Sequence, residues 1–284
     1  MSNHPLAIGI LGTGDELIQG DILNTNAQSI SRELVFRDIQ PGVQLIVADE
    51  VHTMARSIQF LLSEHDIVIT IGGLGPTCDD VTRDAVALAL GLPLEFHPPS
   101  WNRLESRFKQ NNIVLTENNR QQCCFPKGSE VLVNENGSAN GCIAFSCNKV
   151  VFMLPGPPIE CLPLFKLQVL PKLLSLNVVQ KQLRFRGVLI GVSESQVASE
   201  VALFLDRHAI NVEVGYRCYY PYLDVKFASQ NQQELDQLIT FLKDQYAGTM
   251  VSDTGLIASK VLIRKLLVGS IGLYLDDQVT SEAT

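Results

Sequence analysis

The first half of the chain alternates two apolar patterns. Ala7–Leu11 is a short unbroken apolar run closed by Gly12-Thr13-Gly14, which reads as a buried strand entering a tight loop. Asn24-Thr25-Asn26 offers helix N-caps, and Ala27, Ile30, Leu34 and Val35 follow at helical spacing. Val43–Ala48 reads as a strand that stops at Asp49-Glu50, after which Met54, Ile58, Leu61 and Leu62 fall on one helical face. Asp66–Ile71 is a β-branched run ending in glycine, and Val81, Ala85, Leu88 and Ala89 give another amphipathic helix. Strands alternating with helices predict an α/β fold with a mainly parallel sheet flanked by helices on both faces. Ligands bind such sheets beyond the carboxyl ends of the strands. Gly12–Asp15, Asp49 and Gly72–Asp80 are therefore expected to meet on one edge.

Beyond Pro98-Pro99 the pattern predicts a polar helix at Trp101–Gln110 and another around Asn118–Cys124. Strands are expected at Glu130–Val133, Cys142–Ser146 and Val150–Leu154. Pro155-Gly156-Pro157-Pro158 then opens a helix that fades near Leu176-Asn177. A second, smaller α+β domain follows, with strands at Gln182–Ile190, Asn211–Gly215 and Leu223–Ala228 and helices at Ser193–Leu205 and Gln232–Gln245. The expected divisions are 1–176, 177–252 and a tail at 253–284 holding an apolar helix and a strand-like run, Ser270–Leu275.

Composition narrows the function. Of 284 residues, 46% are apolar and 18% charged, enough to bury a large core and too little charge for disorder. A net charge of −8 excludes a broad basic footprint, so no nucleic-acid partner is expected. An anionic ligand would have to be held by backbone donors and metal ions. The seven cysteines show no C-x-x-C and read as free thiols of a reducing compartment. With no signal-like start and no apolar run of roughly 18 residues, a cytoplasmic chain without a membrane partner is expected.

The sharpest chemical feature is Gly72-Gly73-Leu74-Gly75-Pro76-Thr77-Cys78-Asp79-Asp80-Val81-Thr82, a strand feeding a glycine loop that feeds a helix. The glycines allow close backbone approach, and loop amides with a helix N-terminus suit an anion. Asp79 and Asp80 could add carboxylate oxygens to a magnesium-like ion, or could cap the helix and favour its dipole. No Gly-Lys-Ser/Thr follows, so this is not a Walker loop. Asp15 and Glu16 follow a strand and could serve a metal or ribose hydroxyls, or could form a solvated turn. Asn24 reads as a cap. Asp49 is a turn former or, alternatively, a general base or metal ligand. Asn134–Gly141 is a turn by composition, and the role of Glu160 stays open. Ser193 with Gln196 reads as a helix cap rather than a nucleophile, since no histidine stands in a triad-like pattern.

Several segments taken in order resemble the CinA family (competence/damage-inducible protein A). They are Gly14-Asp15-Glu16-Leu17 with Gly20 and Asn24-Thr25-Asn26, and Gly72–Thr77 with Asp79-Asp80 and Thr82. They continue with Gly137-Ser138-Ala139 and Gly141, Leu154-Pro155-Gly156-Pro157-Pro158 with Glu160, and Gly191-Val192-Ser193-Glu194-Ser195. The resemblance implies a molybdopterin-binding fold like that of the MogA and MoaB proteins. It implies metal-dependent hydrolysis of ADP-ribose to AMP and ribose 5-phosphate. Carried over by motif, Asp49, Asp79 and Asp80 become catalytic candidates, and Asp15, Glu16, Asp79 and Asp80 metal candidates. Gly14, Asn26, Gly72, Gly73, Leu74, Gly75, Pro76, Thr77, Gly137, Ser138 and Ala139 become candidates for holding the pyrophosphate and nucleoside.

The implied cofactor is a divalent metal (Mg, Mn or Co), with potassium as a second candidate ion. The implied substrate is a small-molecule nucleotide, and a homodimer is expected. Asn140 stands where the family motif usually carries proline. Full-length CinA proteins continue into an amidase-like domain. This chain stops at Thr284 without that domain's serine-bearing motif, so no nicotinamide-nucleotide amidase activity is expected. The rival readings are a molybdopterin-binding or adenylylating protein and a non-catalytic nucleotide-binding module.

Overall fold

A computed structural model describes residues 7–176, 182–255 and 261. The chain divides into two compact units, Met1–Gln180 and Lys181–Thr284. In the first, strands β1 (Ile8–Thr13), β2 (Pro41–Val47) and β3 (Ile67–Ile71) alternate with helices α1 (Asp15–Gln19), α2 (Thr25–Phe36) and α3 (Val51–Glu64). Next come α4 (Thr82–Leu90), β4 (Leu94–Phe96), α5 (Pro98–Gln110), a 3-10 turn (Glu117–Cys123) and β5 (Cys124–Pro126). Strands β6 (Glu130–Leu132), β7 (Gly141–Ser146) and β8 (Lys149–Leu154) lead to α6 (Pro158–Leu164) and α7 (Leu170–Ser175).

Six strands form one sheet in the order β2-β1-β3-β8-β7-β6. β1 pairs in parallel with β2 and β3, and β3 with β8, while β7 runs antiparallel to β8 and β6 antiparallel to β7. Every residue of β1 and of β3 is buried, as expected of parallel strands covered on both faces. On one face Ile8, Ile10, Ile67, Ile69 and Phe152 pack with Ile30 and Leu34 of α2 and with Phe165 and Leu173. On the other, Leu11, Val68, Val151 and Met153 pack with Met54 and Ile58 of α3 and Ala85 and Val86 of α4. Each such fully buried aliphatic side chain contributes about 1.5–3 kcal/mol, and together they hold the strand ends in fixed relation.

The second unit has strands β9 (Leu183–Ile190), β10 (Glu213–Tyr219), β11 (Tyr222–Ser229) and β12 (Met250–Ser252), with helices α8 (Glu194–His208) and α9 (Gln232–Gln245). Its sheet runs β10-β11-β9-β12, antiparallel throughout. Leu189, Leu223, Val225 and Phe227 form its core with Val197 and Val201 of α8 and Leu235, Leu238 and Leu242 of α9. Ser193 caps α8, its hydroxyl accepting from Gln196 N at 3.2 Å. Among the described residues no helix is long and apolar enough to cross a membrane.

Several local expectations change. Asp15–Gln19 is a short helix rather than a turn, and the segment at Asn118–Cys124 winds as a 3-10 turn. The pair β4 and β5, three residues each, and the three-residue β12 carry too few positions to show a period. The helix begun at Pro158 is interrupted by a wide π turn at Phe165–Val169, because Pro163 and Pro171 each remove a ladder donor. The helix and the Ser270–Leu275 strand expected in the tail lie outside the described residues, apart from Val261.

Candidate functional site

Parallel pairing brings the carboxyl ends of four strands together. Thr13 lies beside Val47, Gly12 beside Ile71, and Ile71 beside Leu154. The segments leaving those ends wall a cavity of about 320 Å³, within the size range of small-molecule sites. Thr13, Gly14 and Glu16 enter from β1, Asp49 from β2, and Gly72–Pro76 with Asp79 and Asp80 from β3. Pro155–Pro157 and Glu160 enter from β8, and Gln122, Ser138 and Ala139 close the far side.

The floor is the glycine loop. Gly72 N donates to Leu154 O at 3.0 Å, while Thr82 Oγ1 donates to Gly72 O at 2.9 Å and Thr82 N to Gly73 O at 3.2 Å. Gly72 and Gly73 have φ of 110° and 64°, the left-handed side. A Cβ on Gly73 would collide with the Thr82 hydroxyl, and one on Gly72 would lie 2.7 Å from Thr13 O. Both positions therefore need glycine.

The carboxylates cluster on one side. Asp15 N donates to Asp49 Oδ2 at 3.2 Å and Asp49 N to Asp15 Oδ1 at 3.3 Å, locking the β1 and β2 exits together. Partial burial, followed by the charges of Asp15, Glu16 and Asp79, pushes the Asp49 carboxyl up to about 6, against the hydrogen bond from the Asp15 backbone. Asp80 Oδ2 accepts from Thr77 N at 2.9 Å and Thr77 Oγ1 at 2.5 Å, which closes the Thr77–Asp80 turn. Helix α4 begins only at Thr82 with Val81 at its N-cap and no side-chain cap, so neither Asp79 nor Asp80 caps it. Asn24 does cap α2, accepting from Ala27 N at 3.1 Å.

Of the residues singled out in the sequence, Gly14, Glu16, Asp49, Gly72, Gly73, Leu74, Gly75, Pro76, Asp79, Asp80, Ser138 and Ala139 line the cavity. Asp15, Asn26, Thr77 and Gly137 are not among the residues that line it. Asn26 Nδ2 donates to Gly156 O at 2.6 Å, buttressing the Pro155–Pro157 corner. Gly137 packs against the Glu160 carboxylate, where a Cβ would collide. Buried Asn134 organises that wall. Its Nδ2 donates to Glu160 Oε2 at 2.7 Å and to Ala139 O at 3.0 Å, and its Oδ1 accepts from Asn136 N at 3.0 Å and Gly137 N at 3.1 Å. Asn140, where the family motif carries proline, accepts from Asn134 N at 3.0 Å and donates to Ser100 Oγ at 3.0 Å, so side-chain bonds fix the loop.

Gln122, 1% exposed, was not anticipated. Its Nε2 donates to Ser138 Oγ at 3.2 Å on the cavity wall. It sits in a 3-10 turn where no period marks an inward position. Among the described residues no three of His, Cys, Asp and Glu converge tightly enough to chelate a metal by themselves. A magnesium-like ion, however, commonly takes one or two carboxylates and fills its shell with water and substrate phosphate, which this donor set fits.

A family described as "Probable molybdopterin binding domain" matches residues 9–175, more than half the chain and nearly all of the unit that holds the cavity. A competence-damage inducible protein of Alkaliphilus oremlandii is 36% identical over 273 residues, covering 92% of this chain and 65% of the relative. The chain belongs to the CinA family. A second relative with the same description, from Clostridium botulinum (strain Kyoto / Type A2), is 40% identical over 201 residues, covering 70% of this chain and 48% of its own length. The chain thus spans about half to two thirds of the length of these curated CinA-family relatives. The crystal structure of the protein CinA, of unknown function, from Thermoplasma acidophilum superposes with a TM-score of 0.55 at 26% identity, covering 61% of this chain and 99% of that one. This CinA-family chain therefore carries a molybdopterin-binding-like domain as its first unit.

Proposed function

We propose that the first unit is a metal-dependent pyrophosphatase that hydrolyses ADP-ribose, or a related nucleoside diphosphate sugar, to AMP and ribose 5-phosphate. The observation that carries this reading is one cavity in which Glu16, Asp49, Asp79 and Asp80, from three separate strand ends, face a glycine loop. A divalent cation held by one or two of the cavity carboxylates Glu16, Asp79 and Asp80, its shell filled by water and substrate phosphate, would neutralise diphosphate oxygens and acidify a water molecule. Asp49, with a pKa near 6, is ionised at neutral pH and basic enough to accept a proton from that water. Water oxygen bonds to phosphorus, the bridging P–O bond breaks, and the departing phosphate takes up the proton. The loop at Gly72–Pro76 favours the charge that builds on the phosphate oxygens.

Purified protein is expected to release AMP from ADP-ribose with Mg, Mn or Co present. Asp80→Asn, which keeps an acceptor oxygen for Thr77, is expected to lower release by about 10²–10⁴-fold without unfolding the chain. No turnover by folded protein with any of these metals overturns the proposal. The family match favours a second reading, in which the same cavity binds or adenylylates molybdopterin. Tight pterin binding without nucleotide hydrolysis selects that reading. Nucleotide binding without turnover selects a non-catalytic module.

A further inference from the structure

Arg83 lies in the first turn of α4, directly after the cavity loop. It is 3% exposed. Its Nη2 donates to Leu74 O at 2.7 Å, its guanidinium carbon stands 5.6 Å from the Phe125 ring centroid, and its Nε has no partner. Among the described residues Arg83 forms no ion pair. The ionisable groups that act on it are Cys142, Asp80, Cys123 and Cys124. Burial pushes the Cys142 thiol up to about 12 and Cys123 to about 11, and raises Cys124 as well. The thiols are therefore neutral at pH 7, and Asp80 is the one carboxylate of that group. A guanidinium does not shed its proton, so burial leaves a fixed positive charge that needs an opposite one.

That charge lies behind a loop that has no phosphate-binding lysine of its own. Leu74, whose carbonyl it holds, and Asp80 both line the cavity. The cavity's carboxylates repel an approaching anion, and a cation fixed beneath the floor offsets them at short range. We infer that Arg83 is a positioning residue that acts as the buried counter-charge for an anionic diphosphate seated on the Gly72–Pro76 loop, standing in for the absent lysine. The inference rests on the proposed diphosphate reading of the same cavity. Arg83 acts through the Leu74 carbonyl and through its field, without touching the ligand.

The test is calorimetric titration of the full chain with inorganic pyrophosphate at fixed Mg²⁺, for wild type, Arg83→Lys, Arg83→Gln and Arg83→Met. Lys keeps the charge below the pKa of its buried amine, so the titrations are run at pH 6 as well as pH 8. Gln keeps a donor for Leu74 without charge, and Met keeps only bulk. Wild type and Arg83→Lys are expected to bind alike, and the Gln and Met variants roughly tenfold to a hundredfold more weakly. Melting of Arg83→Gln is expected to match wild type, which a merely structural arginine would not permit. Should the Met variant fail to fold, the Lys and Gln pair decides. Wild-type affinity in Arg83→Gln overturns the inference while the diphosphate reading stands. No pyrophosphate binding by wild type removes both.

Discussion

The two units treat buried charge in opposite ways. In the second, Asp224 is fully buried and every demand it makes is met, since Arg186 pairs with it and the Tyr219 hydroxyl donates to it at 3.3 Å. In the first, Asp49 is half-buried beside Asp15, Glu16 and Asp79, and Arg83, buried behind the glycine loop, forms no ion pair among the described residues. A paired charge holds a fold in register. Charges of both signs kept close but unpaired are the arrangement that the proposed cation and diphosphate would complete.

The contrast can be broken most severely at the cavity. Asp79→Asn or Asp80→Asn is expected to lower AMP release by about 10²–10⁴-fold while circular dichroism stays unchanged. A loss of activity that tracks a loss of fold would place these groups with Asp224 as structural charges.

Next comes the paired arginine. Arg186→Met leaves Asp224 buried with only Tyr219 and is expected to cost about 3 kcal/mol in urea unfolding of the second unit. Arg83→Met is expected to cost far less, because no ion pair is broken and desolvation of a charge is relieved. Equal losses would erase the distinction.

The smallest effect is expected at Asp49. Its folded pKa, about 6, lies above that of an unfolded aspartate, so the folded chain holds the extra proton between about pH 4 and 6. Asp49 ionisation therefore lowers stability as pH rises through that window, and the loss is complete above it. Asp49→Asn is expected to stabilise the chain at pH 8 by on the order of 1 kcal/mol after solvent screening, and by nothing near pH 4. Thermal melts at the two pH values read this directly. Stabilisation at pH 4 and none at pH 8 would reverse the sign and remove the like-charge cluster.

The parallel sheet and the edge that carries the cavity were legible because a fully buried strand such as Ile67–Ile71 leaves an unbroken β-branched run that stops at glycine. Asp49 was legible because it closely follows a strand, and Asp79 and Asp80 because they close the glycine loop that leaves β3. The far wall was not. Gln122 reaches the cavity through a 3-10 turn, and Asn134 reaches Glu160 across 26 residues of sequence, contacts that no local period encodes. Arg83 falls on a helix whose apolar spacing reads identically whether residue 83 faces water or the core. Only burial shows that its charge is turned inward.

The proposed site takes a cation and a diphosphate together. Calorimetric titration of the full chain with ADP-ribose, with and without Mg²⁺, tests it most directly. Tight binding is expected only with the cation, weakening as pH falls below about 6 and Asp49 takes up its proton. Equal affinity in the presence of a chelator, or no binding by folded protein at any Mg²⁺ concentration, would contradict the account.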